Sequence, residues 1–568
     1  MFNALKNKFE SLTNIWVVVL LLIAISPSFI PLMRSGYFYM QDDLQAFRIH
    51  QMNECFEDGQ IPCRWVPDAG YQYGYPQFNF YPPSVYYIGE VIHLVGFSIT
   101  NTVKIMFILG YILSALAMYV LVKDISGKWS GFIAGVLYTY IPYKAVEVYV
   151  RGALNEFWAL IAFPLIFWAI YKLIKTAKAR YIVWLSVSIA FLLTTHLLMT
   201  MIFIVPALVW TFYWLYAEKK RNLLPHIILS SVLGFLLASF FVLPAFFEKQ
   251  HVHAETLLMG YFGYRQHFVN LYDLLFSREW GYGSSGFPDE LLNLSTGLVQ
   301  WVFAVIVGFI ALVKFKEKQK ISKLIFVLLG LTGLILFLIH VRSSFIWDIF
   351  TFLEWLQFPW RFLSVSIFLL SIIGAIGVSL LNKRNRYLVG VIVIFAAVIL
   401  NIGFYRAREW YEIKDREKFL GELWEKQLTI SIFDYLPKSA EFPPVAKAPE
   451  VPEILEGVAV FDEYTKGSNY QTGTITVNTP RALIRAPLYD FPGMRVEIDG
   501  LPVGFVSNDC RGQEFCLGLV TFWVPEGEHE IDIRLTNTPI RVIGNLLSVL
   551  GLLGVAYIAY KKPKFIGK

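Results

Sequence analysis

The most regular pattern along this chain is the recurrence of apolar runs that are about as long as a bilayer is thick. A helix needs about 20 mainly apolar residues to cross the hydrocarbon core of a membrane. The pattern therefore predicts an all-α polytopic membrane protein with about 12 transmembrane helices. The predicted spans are 15–33, 103–122, 130–147, 157–174, 181–196, 198–216, 225–246, 298–313, 324–341, 362–381, 387–404 and 541–560.

A further apolar run, 84–99, is shorter and carries Glu90 and His93. Whether this run crosses the membrane decides the orientation of all later spans. The basic residues can decide between the two orientations, because Lys and Arg concentrate in cytoplasmic loops. If 84–99 does not span, clusters such as 314–323 and 561–568 fall on the cytoplasmic side, whereas counting it as a span inverts most of this bias. We therefore predict a half-buried or interfacial helix on the outer face. Both termini are then cytoplasmic.

The first apolar run allows two interpretations. Ala24 and Ser26 are small residues of the kind found before a signal-peptide cleavage site. Pro27 would follow the cut, which is unfavourable, so an uncleaved membrane anchor is preferred.

Composition agrees with a membrane protein and excludes several other classes. The chain is 56% hydrophobic and 16% charged, with a mean hydropathy of +0.53, whereas soluble domains have about 25% charged residues. This excludes a soluble cytosolic enzyme, a disordered chain and a small disulfide scaffold. The net charge of +6 is small and scattered, so nucleic acid is not an expected partner.

In the predicted topology, the long polar segments all lie on the outer face of the membrane. Outer loops occupy 34–102 and 247–297 within a transmembrane module of residues 1–404. Residues 405–452 are predicted as a juxtamembrane helix (405–440) followed by a Pro-rich linker (441–452), and 541–568 as the last span with a basic cytoplasmic tail. Long ordered loops in compact proteins are usually functional.

Residues 453–540 alternate between apolar and polar positions, in segments punctuated by Gly, Pro and Asp. Strict alternation over short runs is typical of β-strands. We predict a small extracytoplasmic antiparallel β-sandwich with a lid or binding role, since it contains no candidate catalytic triad or metal cluster.

The four cysteines supply an independent check on the topology. Cys55 and Cys63 lie in the first outer loop, and Cys510 and Cys516 in the C-terminal block. All four are then outside, where disulfides persist. The spacing favours Cys55–Cys63 and Cys510–Cys516, with four unpaired thiols as the alternative.

Two adjacent carboxylates, Asp42 and Asp43, follow the first span. They suit general-base chemistry or cation binding, or they simply end the helix in solvent. Consecutive side chains on regular structure point in different directions, so one of the two is expected to face a site.

Other candidate residues lie at the outer ends of later spans. Glu147, Arg151 and Glu156 form a polar cluster between apolar spans, and ionisable groups there are functional candidates. Arg361 starts a span after a proline and could hold a lipid phosphate or snorkel to the headgroups. His196 is a further candidate, with plain packing as its alternative.

Nucleotide-binding signatures are missing from the sequence. There is no P-loop, G-x-G-x-x-G fingerprint or nucleophile elbow in a strand–helix setting. An activated substrate at the outer face therefore has to arrive with its energy stored, and a lipid-linked phosphate is the obvious form.

A series of motifs runs in a fixed order through nearly the whole chain: Asp42–Asp43, GYQYGYPQFNFYPP (70–83), LTTHLL (193–198), REWGYGSSGFPDE (278–290), LQFPWRF (356–362), YDFPGMRVEIDG and VPEGEH. In this order they resemble the GT-C membrane glycosyltransferases, which include protein O-mannosyltransferases, oligosaccharyltransferase catalytic subunits and lipid A aminoarabinose transferases. More closely, the chain is similar to the YfhO-like or 6-pyruvoyl-tetrahydropterin synthase-related membrane proteins.

The resemblance implies a polyprenyl-phosphate sugar donor, a glycan, lipid or protein acceptor, and transfer with inversion at the outer face of the cell membrane. It implies Asp42 or Asp43 as the catalytic base, with Asp43 preferred. Glu147, Arg151 and Glu156 match the site that positions donor phosphate or metal, and Arg361 is a further phosphate ligand.

Two departures from the GT-C pattern matter. The chain has no clear D-x-D motif, so a divalent metal ion stays open as a cofactor, and it has no sequon-recognition motif of the oligosaccharyltransferase kind. The rival hypotheses are a transporter or flippase for lipid-linked glycans, and a non-enzymatic binding protein. A transporter would need ionisable groups near the midplane of paired repeats, and no internal repeat is evident.

Overall fold

The computed structural model of the protein describes residues 15–287 and 289–561. Most of this part of the chain is helical. The α-helices in chain order are α1 (Ile15–Ser28), α2 (Gln45–Glu57), α3 (Gln77–Phe80), α4 (Ser84–Leu94), α5 (Ile99–Ser126), α6 (Lys128–Thr139), α7 (Pro142–Tyr149), α8 (Leu154–Thr176), α9 (Arg180–Thr195), α10 (Leu197–Ala217), α11 (Leu224–Phe247), α12 (Leu271–Leu275), α13 (Leu298–Val313), α14 (Gln319–Ile339), α15 (Ser344–Ile349), α16 (Leu363–Gly377), α17 (Lys383–Asn401), α18 (Asp415–Lys418), α19 (Gly421–Thr429) and α20 (Pro539–Lys561).

Eight helical stretches of the described residues are long and apolar enough to cross a membrane, which makes the protein a polytopic membrane protein. They are Ile99–Ser126, Leu154–Thr176, Leu197–Ala217, Arg221–His251, Gln319–Ile339, Pro359–Leu380, Lys383–Phe404 and Pro539–Lys561. Helices α1, α9 and α13 are apolar but shorter. The predicted number of 12 spans is therefore not confirmed.

The predicted span 130–147 shows why apolar length alone overcounts. It is divided between α6 and α7, and Pro142 is the first residue of α7. Proline has no backbone N–H, and it disfavours helical geometry in the residue before it. In this run the helix is interrupted just before Pro142, so one predicted span forms two short helices.

Helices α8 and α16 form the centre of the bundle. In Leu154–Thr176 and Pro359–Leu380, 83% and 94% of the most apolar stretch is buried within the protein. In Lys383–Phe404 and Pro539–Lys561 the corresponding shares are only 28% and 22%. A helix that is apolar on all sides is buried in a core or faces lipid, so the first two are central and the last two are peripheral.

Helix α4 is the run predicted to lie at the membrane surface, and it is shorter than predicted. Glu90 is buried, whereas Val91, Leu94 and Val95 are more than half exposed. This two-sided character agrees with an interfacial helix. Its position relative to a bilayer stays a prediction.

The strands in chain order are β1 (Tyr37–Phe38), β2 (Trp410–Tyr411), β3 (Glu453–Glu456), β4 (Ala459–Lys466), β5 (Tyr470–Tyr489), β6 (Met494–Ile498), β7 (Leu501–Val503), β8 (Phe505–Val506) and β9 (Leu519–Leu535). The C-terminal strands form one antiparallel sheet of seven strands in the order β3-β5-β9-β6-β7, with β4 paired to β5 and β8 to β9. The pairing of β5 with β9 shifts register near the middle of both strands, and β4 pairs with the first half of β5 and β3 with the second half. The predicted sandwich is therefore not confirmed.

The sheet rests on the first loop through an aromatic contact. The ring of Trp65 lies 5.7 Å from that of Phe491, and the ring of Tyr73 lies 5.5 Å from that of Tyr489. All four side chains are buried in the core of the sheet. The sheet and the first loop therefore share one hydrophobic core.

Both predicted cysteine pairs are at bonding distance. The Cα atoms of Cys55 and Cys63 are 5.6 Å apart, and those of Cys510 and Cys516 are 4.9 Å apart. The cysteines thus lie at disulfide distance in the two pairs that the spacing favours. One pair closes a short loop within the first outer loop, and the other closes a short loop between β8 and β9.

Residues 405–452, called the connector below, join the bundle to the sheet. The stretch 405–440, predicted to be helical, contains only β2, α18 and α19 as regular elements. Strand β2 pairs with β1 of the first loop. Asp415 accepts hydrogen bonds from the first backbone N–H groups of α5, where a helix favours negative charge. The connector is thus attached to the first loop through β1 and to the start of α5 through Asp415.

Candidate functional site

A cavity of about 1060 Å³ lies where the loops, the connector and the ends of four membrane helices meet. Helices α8, α10 and α11 contribute lining residues, and so does the 3₁₀ turn Pro359–Phe362 that leads into α16. One wall is polar and includes Asp42, Arg151 and Glu156, whereas the wall from α10 and α11 is apolar and includes Met201 and Val242. A cavity of this size and mixed lining suits a ligand with a polar head and an apolar tail.

Backbone contacts hold the first loop against the start of α8. The amide of Asp42 donates to the carbonyl of Arg151 at 2.8 Å, and the side-chain amide of Gln45 donates to the carbonyl of Gly152 at 2.9 Å. Gly152 has a φ of +67°, and a Cβ there would lie 2.4 Å from the sulfur of Met40. Only glycine fits this approach.

Asp42 presents its carboxylate to the cavity. The side chain is 37% exposed and accepts hydrogen bonds from Gln45 at 2.9 Å and from Arg48 at 3.3 Å. The guanidinium of Arg48 lies 4.1 Å from the ring centroid of Tyr81. The carboxylate is held in place but keeps an open side.

Asp43 points away from the cavity. Its carboxylate accepts from the ammonium of Lys418 on α18 at 2.9 Å, and it does not line the cavity. Burial raises the pKa of Asp43, an effect that Lys418 partly offsets. Of the two adjacent carboxylates, Asp42 faces the site and Asp43 fastens the connector.

The five other candidate residues come together in one buried cluster. Arg151 donates to Glu147 at 2.5 Å and to both oxygens of Glu156, at 2.6 and 3.1 Å. Arg361 donates to Glu156 at 2.7 Å, and Nε2 of His196 lies 3.7 Å from the same carboxylate. Two guanidinium groups thus face two carboxylates, which leaves the cluster nearly neutral.

Aromatic rings and backbone carbonyls fix the two arginines. The guanidinium of Arg151 lies 4.6 Å from the ring centroid of Trp360. Arg361 lies 4.7 Å from the ring centroid of Phe358 and donates through Nη1 to the carbonyl of Leu356. The other terminal nitrogen of Arg361 forms no hydrogen bond with the described residues, although the side chain lines the cavity. That N–H group is available to a ligand.

Lys249 is a lining cation that the motifs did not single out. It lies just after α11, and its ammonium is 5.2 Å from the ring centroid of Phe246 and 5.1 Å from that of Trp355. It forms no ion pair within the described part of the chain. The only sequence signal was a basic residue directly after an apolar span.

Asp434 is a second lining residue that sequence reasoning missed. It belongs to the connector, and burial raises the pKa of its carboxyl to about 6. Nothing local distinguishes it from other acidic residues, because only the folded chain brings residue 434 to the first loop.

The acidic residues do not form a metal site. Among residues 15–287 and 289–561, no group of three or more His, Cys, Asp and Glu side chains could hold a metal ion. Glu147 and Glu156, implied by the resemblance as ligands, are bound by Arg151. We therefore derive no step of a reaction through a metal ion.

Several solved structures resemble the chain at low similarity. The oligosaccharyltransferase AglB from Archaeoglobus fulgidus, in complex with an inhibitory peptide and a dolichol-phosphate, has a TM-score of 0.41 and 14% identity, over 78% of this chain and 62% of that chain. The Archaeoglobus fulgidus oligosaccharyltransferase with Zn and sulfate has a TM-score of 0.39 and 17% identity, over 70% and 53%. This chain thus spans less than two thirds of the archaeal protein's length.

The sequence comparison is more direct. No curated protein sequence matches the chain. The family model described as bacterial membrane protein YfhO matches residues 78–432, which is more than half of the chain and includes the Arg151 cluster and Lys249. The resemblance drawn from the motifs is confirmed in this respect, and the chain belongs to the YfhO family of bacterial membrane proteins.

Proposed function

We propose that this protein is a membrane glycosyltransferase that moves a sugar from a polyprenyl-phosphate donor to an acceptor at the extracytoplasmic face. The observation that carries the proposal is the cavity itself. It combines an open carboxylate, Asp42, with two cationic groups that have free donors, Arg361 and Lys249, and with an apolar wall from membrane helices. The GT-C resemblance of the motifs supplies the reaction class.

The apolar wall suits the lipid part of the donor. Leu198 and Met201 on α10 and Val242 and Phe246 on α11 line the apolar part of the cavity. An isoprenoid chain that follows these helices would bring its phosphate to the polar wall. There Lys249 and the free terminal nitrogen of Arg361 can donate to phosphate oxygens in charge-assisted hydrogen bonds.

The proposed reaction is a single inverting displacement. A hydroxyl oxygen of the acceptor attacks the anomeric carbon, and the bond from that carbon to the phosphate oxygen breaks. The polyprenyl phosphate leaves with the electron pair, and Asp42 accepts the hydroxyl proton as general base. Asp42 is preferred over Asp43 because it lines the cavity. Arg361 and Lys249 stabilise the negative charge that develops on the leaving phosphate.

The orientation proposed from the basic residues fits this assignment. With both termini cytoplasmic, the cavity, the connector and the sheet lie outside the plasma membrane. A lipid-linked donor presented at the outer leaflet then reaches the cavity without crossing the bilayer.

Release of free polyprenyl phosphate tests the proposal. The full chain in lipid nanodiscs is offered a panel of polyprenyl-phosphate monosaccharides with mixed acceptors. Acceptor-dependent release is the expected result. If no donor is turned over although donor lipid binds, the protein is a transporter or binding protein for lipid-linked glycans instead.

Lys249→Ala is expected to raise the KM for the donor about tenfold or more, because one charge-assisted contact to phosphate is lost. The KM for the acceptor should stay the same. Initial rates at varied donor concentration measure the effect, and Lys438→Ala is the matched control because Lys438 is exposed and outside the cavity. An unchanged donor KM would remove Lys249 from the phosphate site.

A further inference from the structure

The connector places one carboxylate in the cavity that the proposed reaction does not use. Residues Ile430, Ser431, Asp434 and Tyr435 line the cavity on the side of Asp42. The connector is therefore part of the site as well as a link between the bundle and the sheet.

Asp434 differs from the other acidic residues that line the cavity. The carboxylate of Asp42 is paired with Arg48 at 3.3 Å, and that of Glu156 with Arg151 at 2.6 Å. Asp434 forms no ion pair with any residue that the structure describes. Its half-buried carboxylate interacts with the side chain of Ser431 through a hydrogen bond. An ionised carboxylate can accept several hydrogen bonds, so acceptor sites remain for a ligand that donates to it.

The turn that carries Asp434 is held in place by a buried tyrosine. The hydroxyl of Tyr75 donates to the carbonyls of Ser431 and Ile432, at 3.0 and 3.2 Å, and accepts from the amide of Tyr435 at 2.5 Å. The ring of Tyr435 also stacks on Phe80, with centroids 5.4 Å apart. Asp434 is thus presented by a fixed turn, as a preorganised binding group requires.

The surroundings indicate what kind of donor Asp434 would bind. The cationic Arg48 lies close enough to act on the charge of Asp434, which disfavours a positively charged ligand group. The aromatic residues Tyr81 and Tyr435 line the same cavity as Asp42 and Asp434. Carboxylates for hydroxyl groups and ring faces for the carbon frame suit a sugar.

We propose that Asp434 binds a hydroxyl group of the acceptor and that the acceptor is a glycan. Only the role of the glycan as the acceptor rests on the proposed function, because binding of a glycan by Asp434 can be measured without turnover. In the reaction, Asp434 would orient the acceptor while the neighbouring Asp42 accepts the proton of the attacking hydroxyl. The connector would then select the acceptor, and the membrane helices the donor.

Binding of linear oligosaccharides to the full chain in nanodiscs tests this. The intrinsic fluorescence of Trp355 and Trp360, which line the cavity, reports occupancy. The wild type is expected to bind at least one oligosaccharide of the panel, Asp434→Asn about tenfold more weakly, and Glu441→Gln as tightly as the wild type. Glu441 is exposed on the same connector and outside the cavity.

Kinetics give a second readout that a loss of folding would not mimic. Asp434→Asn should raise the KM for the acceptor about tenfold and leave the KM for the donor unchanged. Oligosaccharide binding that is equal in wild type and variant, a raised donor KM, or a wild type that binds no oligosaccharide would overturn the assignment. Polyprenyl phosphate release with a peptide acceptor alone would also overturn it and leave the proposed transferase intact.

Discussion

Asp42→Asn is expected to lower kcat by about a hundredfold to ten-thousandfold, the range observed when a general base is removed. The asparagine keeps the shape of the side chain and can still accept hydrogen bonds from Gln45 and Arg48. It cannot accept the proton of the acceptor hydroxyl. The donor should therefore bind as before while release of polyprenyl phosphate falls. Measuring kcat beside donor binding in the same nanodiscs separates the two effects.

Asp43→Asn is the matched control for Asp42→Asn, because the two carboxylates are adjacent and only Asp42 faces the cavity. Asp43 fastens the connector through Lys418, so its variant should keep most of kcat and unfold at a lower temperature. If Asp43→Asn abolished turnover and Asp42→Asn kept it, the base would be Asp43. If both variants kept normal turnover, neither residue would be the base.

The contrast between these neighbours also shows what the sequence could predict about the site. Asp42 stands out as one of two adjacent carboxylates directly after a span, and Arg151 and Glu156 stand out as ionisable groups set between apolar spans. That reasoning works one residue at a time and does not distinguish Asp42 from Asp43. The distinction depends on Lys418, which is far away in sequence and is brought to Asp43 by the connector.

Asp434 and Lys249 illustrate the limit more sharply. Each looks like an ordinary charged residue, one in the predicted juxtamembrane helix and one after a span. Neither forms an ion pair with a residue that the structure describes, and no local pattern in the sequence reveals this. Prediction of the fold from the sequence meets a similar limit at Pro142, where one apolar run predicts a single span but the chain forms two helices.

The residues that line the cavity come from two parts of the chain, one inside and one outside the region matched by the family model. The apolar wall and the cations Lys249 and Arg361 belong to segments inside the region that matches the YfhO family model, residues 78–432. Asp42 and Asp434 lie outside that region and are brought to it by the first loop and the connector. In the proposed reaction, the region matched by the family model binds the lipid donor. The residues outside it supply the general base, Asp42, and the acceptor-binding carboxylate, Asp434.

Glu156→Gln is expected to cost about 3–5 kcal/mol of stability, because removing one partner of a buried ion pair leaves an uncompensated charge. Glu156 is 3% exposed and accepts from both Arg151 and Arg361. Without its charge, two buried guanidinium groups face only Glu147. Equilibrium unfolding of the full chain in mixed micelles should show the loss as a lower midpoint.

Two further variants decide whether charge is the cause. Glu317→Gln removes an exposed pair with Lys314 and should leave the midpoint unchanged, since such pairs contribute little. The double variant Glu156→Gln with Arg361→Gln removes one charge of each sign and should regain part of the lost stability. If the double variant were less stable than Glu156→Gln alone, lost hydrogen bonds rather than an unpaired charge would explain the effect. The cluster would then be held by the geometry of its hydrogen bonds, and its near neutrality would not be what stabilises it between α7 and the ends of α8, α10 and α16.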